Sequence, residues 1–157
     1  MPIKNKILVA FLAVFALLGT TAGAEARTLS SSEASLLQTM NGVRASHRLA
    51  PLRLDVRLLR AARGHSADML HRQYFAHGSV AGRALAQGAR GPVFGEDLAW
   101  GTGSDAQPEV IVQAWMDSPP HRRIMLDCRF SQLGVGIAAG RFGDLPSATV
   151  YVADFAA

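Results

Sequence analysis

The hydrophobic pattern of the chain changes from helical spacing in the first half to strand-like runs in the last third. Apolar residues recur at helical spacing over residues 32–47 and again over residues 56–74. The runs 133–139 and 148–155 are rich in β-forming residues and are separated by turn residues, which predicts an antiparallel hairpin. Helices that come first and strands that come mostly last predict a single α+β domain.

The middle of the chain predicts shorter elements. Residues 78–95 are rich in glycine, so we expect mostly loop there, with at most a short helix. Residues 94–101 predict a short strand, and residues 108–117 predict a helix that starts with a proline, which fits a first turn. Two prolines end that helix. Ser118 is placed to cap a further short helix, which carries His121 in its first turn.

The N-terminal 24 residues have the pattern of a secretory signal peptide. Two lysines precede an uncharged apolar run at residues 7–18, which is too short to cross a bilayer. Small residues then offer cleavage after Ala24 or Ala26. An uncleaved N-terminal anchor is the alternative. We therefore expect a secreted or periplasmic protein without a transmembrane span in its mature form, folded over residues 32–157.

Charge and cysteine content narrow the function classes. The leader holds both lysines, and the rest of the chain has fourteen arginines against twelve acidic residues, which gives no case for a nucleic-acid partner. Cys128 is the one cysteine of the sequence, so it cannot form an internal disulfide and the core alone must hold the fold. We expect Cys128 to be a small buried hydrophobe rather than a nucleophile, with an intermolecular disulfide as the lesser alternative.

The histidines differ in how strongly they indicate a site. We expect His47 and His71 to be solvated, and His65 to contact Asp68, three residues further along its helix, as a surface pair or a half-buried contact. His77 follows an aromatic pair at a helix end and leads into a loop, where functional residues concentrate. His77 is therefore the stronger candidate.

Two adjacent acids and one further histidine complete the candidates. Glu96 and Asp97 lie inside an apolar segment, and on a strand they point to opposite faces, so one of them faces inward. A buried carboxylate needs a partner, and a histidine is the natural one. His121 lies at a helix N-terminus, whose positive end favours the neutral ring that a metal ligand or general base requires. A capping or core-anchoring histidine is an equal alternative for His121.

Eight short stretches spread along the chain carry a family resemblance: residues 41–44, 51–55, 65–69, 75–78, 95–101, 114–122, 133–137 and 152–155. In this order, over about 120 residues, they resemble a bacterial-type CAP domain, the superfamily of cysteine-rich secretory proteins, antigen 5 and plant pathogenesis-related proteins. The resemblance implies an α-β-α sandwich, in which helices flank a small antiparallel sheet.

The resemblance also implies a cleft in which His77, Glu96 and His121 meet, three members of the family's set of two histidines and two glutamates. Ser118 stands where the second glutamate is expected, and Asp97 replaces the asparagine that usually follows the cleft glutamate. His77 and His121 would then hold Zn²⁺ or another divalent cation only weakly and exchangeably, with Glu96 as an outer-shell or bridging base.

Three functions follow as hypotheses. The favoured one is a binding module whose cleft takes a lipid, a peptide or a cell-envelope component. The alternative is a hydrolase acting on peptide or cell-wall substrates, in which a metal or Glu96 activates water. The third is docking to anionic lipid or glycan through one arginine-rich helix face, formed by Arg53, Arg57, Arg60 and Arg63.

Overall fold

The computed structural model describes residues 28–157. The leader and its cleavage sites lie outside the described residues. The elements are α1 (Ser31–Ser46), β1 (Arg53–Leu54), α2 (Val56–Arg72), α3 (Val80–Ala86), β2 (Phe94–Gly101), a 3₁₀ turn (Gly103–Ala106), α4 (Pro108–Asp117), α5 (Pro119–Met125), β3 (Gln132–Phe142) and β4 (Leu145–Ala156). None of the helices in this range has both the length and the apolar character needed to cross a membrane.

The four strands form one sheet in the order β1-β3-β4-β2. The predicted hairpin is β3–β4, and β2 adds to β4 in antiparallel register. β1 pairs with β3 in parallel, so the sheet is mixed, where the resemblance implies a purely antiparallel one. The two residues of β1 are too few to show any period in the sequence. The α+β class itself is confirmed.

Helices cover both faces of the sheet. α1, α4 and α5 contribute Leu36, Trp115 and Met125 to a core against one face. α2 contributes Ala62 and Met69 to a second core against the other face. This arrangement is the α-β-α sandwich that the resemblance implies.

α2 rests on β3 with almost no space between the two backbones. A Cβ atom at Gly134 would lie 2.0 Å from the carbonyl carbon of Leu58, and one at Gly136 would lie 2.2 Å from that of Ala62. Only glycine allows this approach. The close contact fixes the height of α2 above the sheet and hence the position of the loop that follows it.

Arg44 holds the connection between α5 and β3 against α1. Its side chain is buried, with 1% exposure, and the guanidinium donates hydrogen bonds of 2.8 to 3.2 Å. The acceptors are the carbonyls of Ala50, Met125, Asp127 and Phe130. A buried guanidinium whose three nitrogens all donate hydrogen bonds in this way orders a segment that has no regular structure of its own.

Cys128 is exposed, so the expectation of a buried cysteine is wrong. The cause is a tight local turn at residues 127–129. The carboxylate of Asp127 accepts hydrogen bonds from the backbone and guanidinium of Arg129, and Cys128 lies between them at the surface.

Candidate functional site

Glu96 is the centre of a buried polar cluster at the edge strand β2. Its carboxylate has no exposed surface. Oε1 accepts a 2.7 Å hydrogen bond from His77 Nδ1, and Oε2 accepts one from Arg83 Nη2. Both carboxylate oxygens are therefore engaged by groups from the segment between α2 and β2.

Arg83, on the short helix α3, closes this cluster. Its Nη1 donates a 2.5 Å hydrogen bond to the carbonyl of His77, while Nη2 reaches Glu96. Gly78 has a positive φ of 59°, and a Cβ there would touch Nη1 at 3.4 Å. The turn at Gly78 thus brings the His77 loop and the guanidinium together. Arg83 is not among the site residues that the sequence predicts, although it is a cation in the segment just before a buried acid.

His77 faces the solvent while its Nδ1 faces Glu96. The side chain is 56% exposed. Because a carboxylate only accepts hydrogen bonds, Nδ1 carries the proton of this contact. Nε2 is then the nitrogen that a ligand can reach.

His121 lies at the start of α5 and is held by Ser118. The sequence predicts that the Ser118 side chain caps this helix, but it makes no capping hydrogen bond. Its Oγ lies 2.7 Å from Nδ1 of His121 and orients the ring instead. Burial, and secondarily the charge of His77, lower the pKa of His121. This direction agrees with the expectation of a neutral ring, although burial is its main cause. Within residues 28–157, no hydrogen bond or ion pair joins His121 to Glu96.

His65 lies much closer to Glu96 than the sequence indicates. It is buried, donates from Nε2 to the carbonyl of Ala76 at 3.0 Å, and lies 3.7 Å from Glu96 Oε2. The expected contact with Asp68 is wrong, because Asp68 instead accepts a 2.6 Å hydrogen bond from the hydroxyl of Tyr74. Burial, followed by the charge of Arg83, lowers the pKa of His65 to about 4. His65 is therefore neutral and supports the loop.

The remaining two histidines are exposed, as the sequence predicts. His47 ends α1 and its Nδ1 lies 2.9 Å from the carbonyl of Val43. His71 lies on the outer face of α2. Neither contacts the Glu96 cluster, so the two provide matched controls for the histidines that do lie near it.

Comparison with known proteins identifies the family of this chain. The model of the cysteine-rich secretory protein (CAP) family matches residues 37–155. The chain belongs to this family. The CAP resemblance of the sequence is thereby confirmed, over the same stretch that holds the cluster.

Two curated relatives of this chain are longer proteins of one bacterium. The uncharacterized protein YkwD of Bacillus subtilis (strain 168) is 34% identical over 114 residues, which cover 69% of this chain and 43% of YkwD. The uncharacterized membrane protein YlbC of the same organism is 31% identical, over 68% of this chain and 32% of its own length. The chain thus spans less than half the length of the curated relatives it matches.

Solved structures show the same fold. An extracellular protein containing an SCP domain from Bacillus anthracis str. Ames is 26% identical, with a TM-score of 0.66 over 80% of this chain and 40% of that chain. An outer surface protein of Borrelia burgdorferi is 18% identical, with a TM-score of 0.61 over 78% of this chain and 89% of that chain.

Two further acids are buried beside Glu96 in this CAP domain. Asp97 follows it on β2, and Asp154 lies opposite it on β4. Both side chains are buried, and no donor group of the described residues reaches their oxygens. Burial, followed by the charge of Glu96, raises the pKa of each to about 8. Burial also raises the pKa of Glu96, but Arg83 opposes that rise.

The cluster fits a divalent cation poorly. No three His, Cys, Asp or Glu side chains of residues 28–157 are grouped as metal ligands. Arg83 already occupies Oε2 of Glu96, and its positive charge repels a second cation at short range. Zn²⁺ bound to His77 and His121 would supply Lewis acidity; that weak, exchangeable site stays a prediction.

A cavity of about 380 Å³ lies next to the cluster, between α2 and α3. His65 and Arg83, the two inner neighbours of Glu96, form part of its wall, together with Tyr74 and Arg60. Its size is in the range of small-molecule sites. Glu96 itself does not line it, because His65 and Arg83 lie between the carboxylate and the cavity.

Proposed function

We propose that this CAP-domain protein is an exported binding protein, secreted or periplasmic, whose cleft holds a lipid, a peptide or another cell-envelope component. The leader pattern supports export, as does the likeness to an extracellular protein and an outer surface protein. The ligand would contact Nε2 of His77, whose Nδ1 is bonded to the buried carboxylate, and the ring of His121, whose Nδ1 is held by Ser118.

One observation favours binding over catalysis: the carboxylate of Glu96 is buried, and neither of its oxygens is free to accept a proton from a ligand. A general base must lie within hydrogen-bonding reach of the water or substrate proton that it takes. Glu96 has no exposed surface and both of its oxygens already accept hydrogen bonds, from His77 and Arg83. Its role in this arrangement is to position those two side chains.

The first prediction concerns the imidazoles of His77 and His121. Replacing His77 and His121 together by alanine should weaken ligand binding about 10- to 100-fold, since two hydrogen bonds of ordinary strength are lost. The measurement is calorimetry of the full protein against phospholipid vesicles, soluble peptidoglycan fragments and a peptide library, with mass spectrometry of any ligand retained through purification.

The matched control is the double variant His47→Ala with His71→Ala, which removes two exposed histidines elsewhere. It should bind like the wild type. An equal loss of affinity in both double variants, or no binding to any member of the panel, would contradict the proposed cleft.

The same panel tests the hydrolase alternative. We expect no turnover of peptide or peptidoglycan by the wild type. Turnover that disappears in Glu96→Gln, with an unchanged melting temperature, would overturn the binding proposal in favour of an enzyme.

A further inference from the structure

We infer that the cavity between α2 and α3 is a second binding site, which takes a small sugar acid with one carboxylate and several hydroxyl groups. The cavity has a volume of about 380 Å³, within the range of small-molecule sites. The inference goes beyond the proposed function, because the walls of this cavity hold neither His77 nor His121, the two residues that contact the proposed cleft ligand.

The cavity lies between one face of α2 and one face of α3. The side chains and backbone that these two helices contribute to its walls include Arg60, Gly64, His65, Asp68, Arg83 and Ala86. Residues three or four positions apart lie on the same side of a helix, so each helix presents one continuous face to the cavity. The small residues leave the space, and the arginines and the histidine supply groups that can bind a ligand.

His65 has a hydrogen-bond acceptor that the protein leaves without a partner. Its side chain is 2% exposed, and its Nε2 lies 3.0 Å from the carbonyl oxygen of Ala76. Because that oxygen only accepts, Nε2 carries the ring proton and Nδ1 keeps a lone pair. No donor of residues 28–157 reaches Nδ1. This nitrogen is not fully enclosed, and the open space that His65 borders is the cavity. A ligand with an O–H or N–H group would satisfy it.

Arg60 gives the cavity a positive charge that no acid of the described chain neutralises. It is exposed, and its guanidinium has no ion pair or hydrogen bond with the described residues. The other two charged residues of these walls have counter-ions. Arg83 pairs with Glu96, and Asp68 pairs with Arg72 at 3.6 Å. The cavity therefore has an excess of positive charge, and a carboxylate is the group that a guanidinium binds best.

The donor to His65 is a hydroxyl group rather than an ammonium group. Burial, followed by the charge of Arg83, lowers the pKa of His65 to about 4. The same charge repels an ammonium group that approaches the ring, whereas a hydroxyl group donates without this cost. A carboxylate for Arg60 and a hydroxyl group for His65 are the two groups of a hydroxy acid. The volume of the cavity favours a sugar acid over the smallest hydroxy acids.

The test is calorimetry of the full protein with four probes. D-Glucuronate and N-acetylmuramate carry both groups, D-glucose lacks the charge, and cyclohexanecarboxylate lacks the hydroxyl groups. At least one of the two sugar acids should bind. Glucose and cyclohexanecarboxylate should bind about 10-fold or more weakly, since each loses one of the two interactions. Cyclohexanecarboxylate tests the acceptor of His65 without substitution of a buried residue.

Two substitutions test whether binding occurs in this cavity. Arg60→Met removes the charge and should weaken binding of the sugar acid about 10-fold or more. Gly64→Leu should abolish it, because a Cβ at Gly64 meets nothing within 4 Å and the larger side chain extends into the cavity. Leucine is also a better helix former than glycine, so this variant should fold. Its melting temperature checks that it does.

The matched controls are Arg53→Met and Gly42→Leu. Arg53 is an exposed arginine outside the cavity walls, and Gly42 lies on the exposed side of α1, where a Cβ also meets nothing within 4 Å. Both controls should bind the sugar acid like the wild type.

The inference is wrong if neither sugar acid binds, or if cyclohexanecarboxylate binds as tightly as they do. It is also wrong if Arg60→Met leaves the affinity unchanged, or if the controls lose as much affinity as the cavity variants. Gly64→Leu should keep the wild-type affinity for any ligand that His77→Ala with His121→Ala weakens. The cavity and the proposed cleft can therefore fail independently.

Discussion

Gly134→Ala is expected to destabilise the domain by about 3 kcal/mol or more, enough to unfold much of the population of a protein of ordinary stability. The added methyl group would lie 2.0 Å from the carbonyl carbon of Leu58 and 2.2 Å from the amide nitrogen of Leu59. These are backbone atoms, so the steric overlap can be removed only if α2 moves away from the sheet. Lifting α2 opens the core formed by Ala62 and Met69. Urea unfolding, followed by circular dichroism, measures the change.

Gly42→Ala is the matched control for this substitution. Gly42 lies on the exposed side of α1, and a Cβ there would meet nothing within 4 Å. Alanine in a helix interior is more favourable than glycine by about 0.5–1 kcal/mol, so this variant should be slightly more stable than the wild type. Equal stability of the two variants would show that α2 does not rest on Gly134 as described.

Most elements of the fold could be predicted because their signals are local. Glycine and proline mark the ends of β2 and α4, and both elements have the bounds that the sequence predicts. The hairpin follows from two β-rich runs around turn residues. β1 could not be found, because its two residues become a strand only through pairing with β3. Cys128 was misplaced because its exposure depends on a local ion pair rather than on its own polarity.

The only site residues that could be predicted from the sequence are those whose chemistry requires a partner of a particular type. A carboxylate in an apolar strand needs a partner, and this requirement, with the family resemblance, led to His77 and Glu96, which the structure joins by a hydrogen bond. Arg83 and His65 were missed because their positions depend on how the loop after α2 folds back over β2. Asp154 was missed because it is placed by strand register, which pairs it with Glu96 across the sheet.

Asp97→Asn is expected to stabilise the protein, by an amount that grows with pH. Asp97 is fully buried, and no donor group of the described chain reaches its oxygens. Burial, with the charge of Glu96, raises its pKa to about 8, whereas the exposed carboxyl of the unfolded chain titrates near 3.8. Between these values the folded state keeps a proton that the unfolded state has released. The contribution of Asp97 to the free energy of unfolding of the wild type therefore falls as the pH rises from about 4 to about 8. Outside that window this contribution does not change with pH.

Asp97 is the cleaner of the two buried aspartates for this test. Strand alternation points its side chain to the face opposite Glu96. A change at Asp154 would instead disturb Glu96 across the strands and, through it, the guanidinium of Arg83. A change at Asp97 therefore reports on one buried carboxyl and leaves the hydrogen bonds of the cluster in place.

Asparagine has nearly the same shape as aspartic acid and does not titrate in this range. Asp97→Asn should match the wild type near pH 4 and exceed it by about 2 kcal/mol or more at pH 8, because a pKa difference of one between the folded and unfolded states corresponds to about 1.4 kcal/mol. Asp144→Asn, at an exposed position of the β3–β4 turn, should keep the pH dependence of the wild type. Urea unfolding at pH 4, 6 and 8 measures all three proteins. If Asp97→Asn showed the same dependence on pH as the wild type, Asp97 would be ionised in the folded protein, and a cation or water must then reach it.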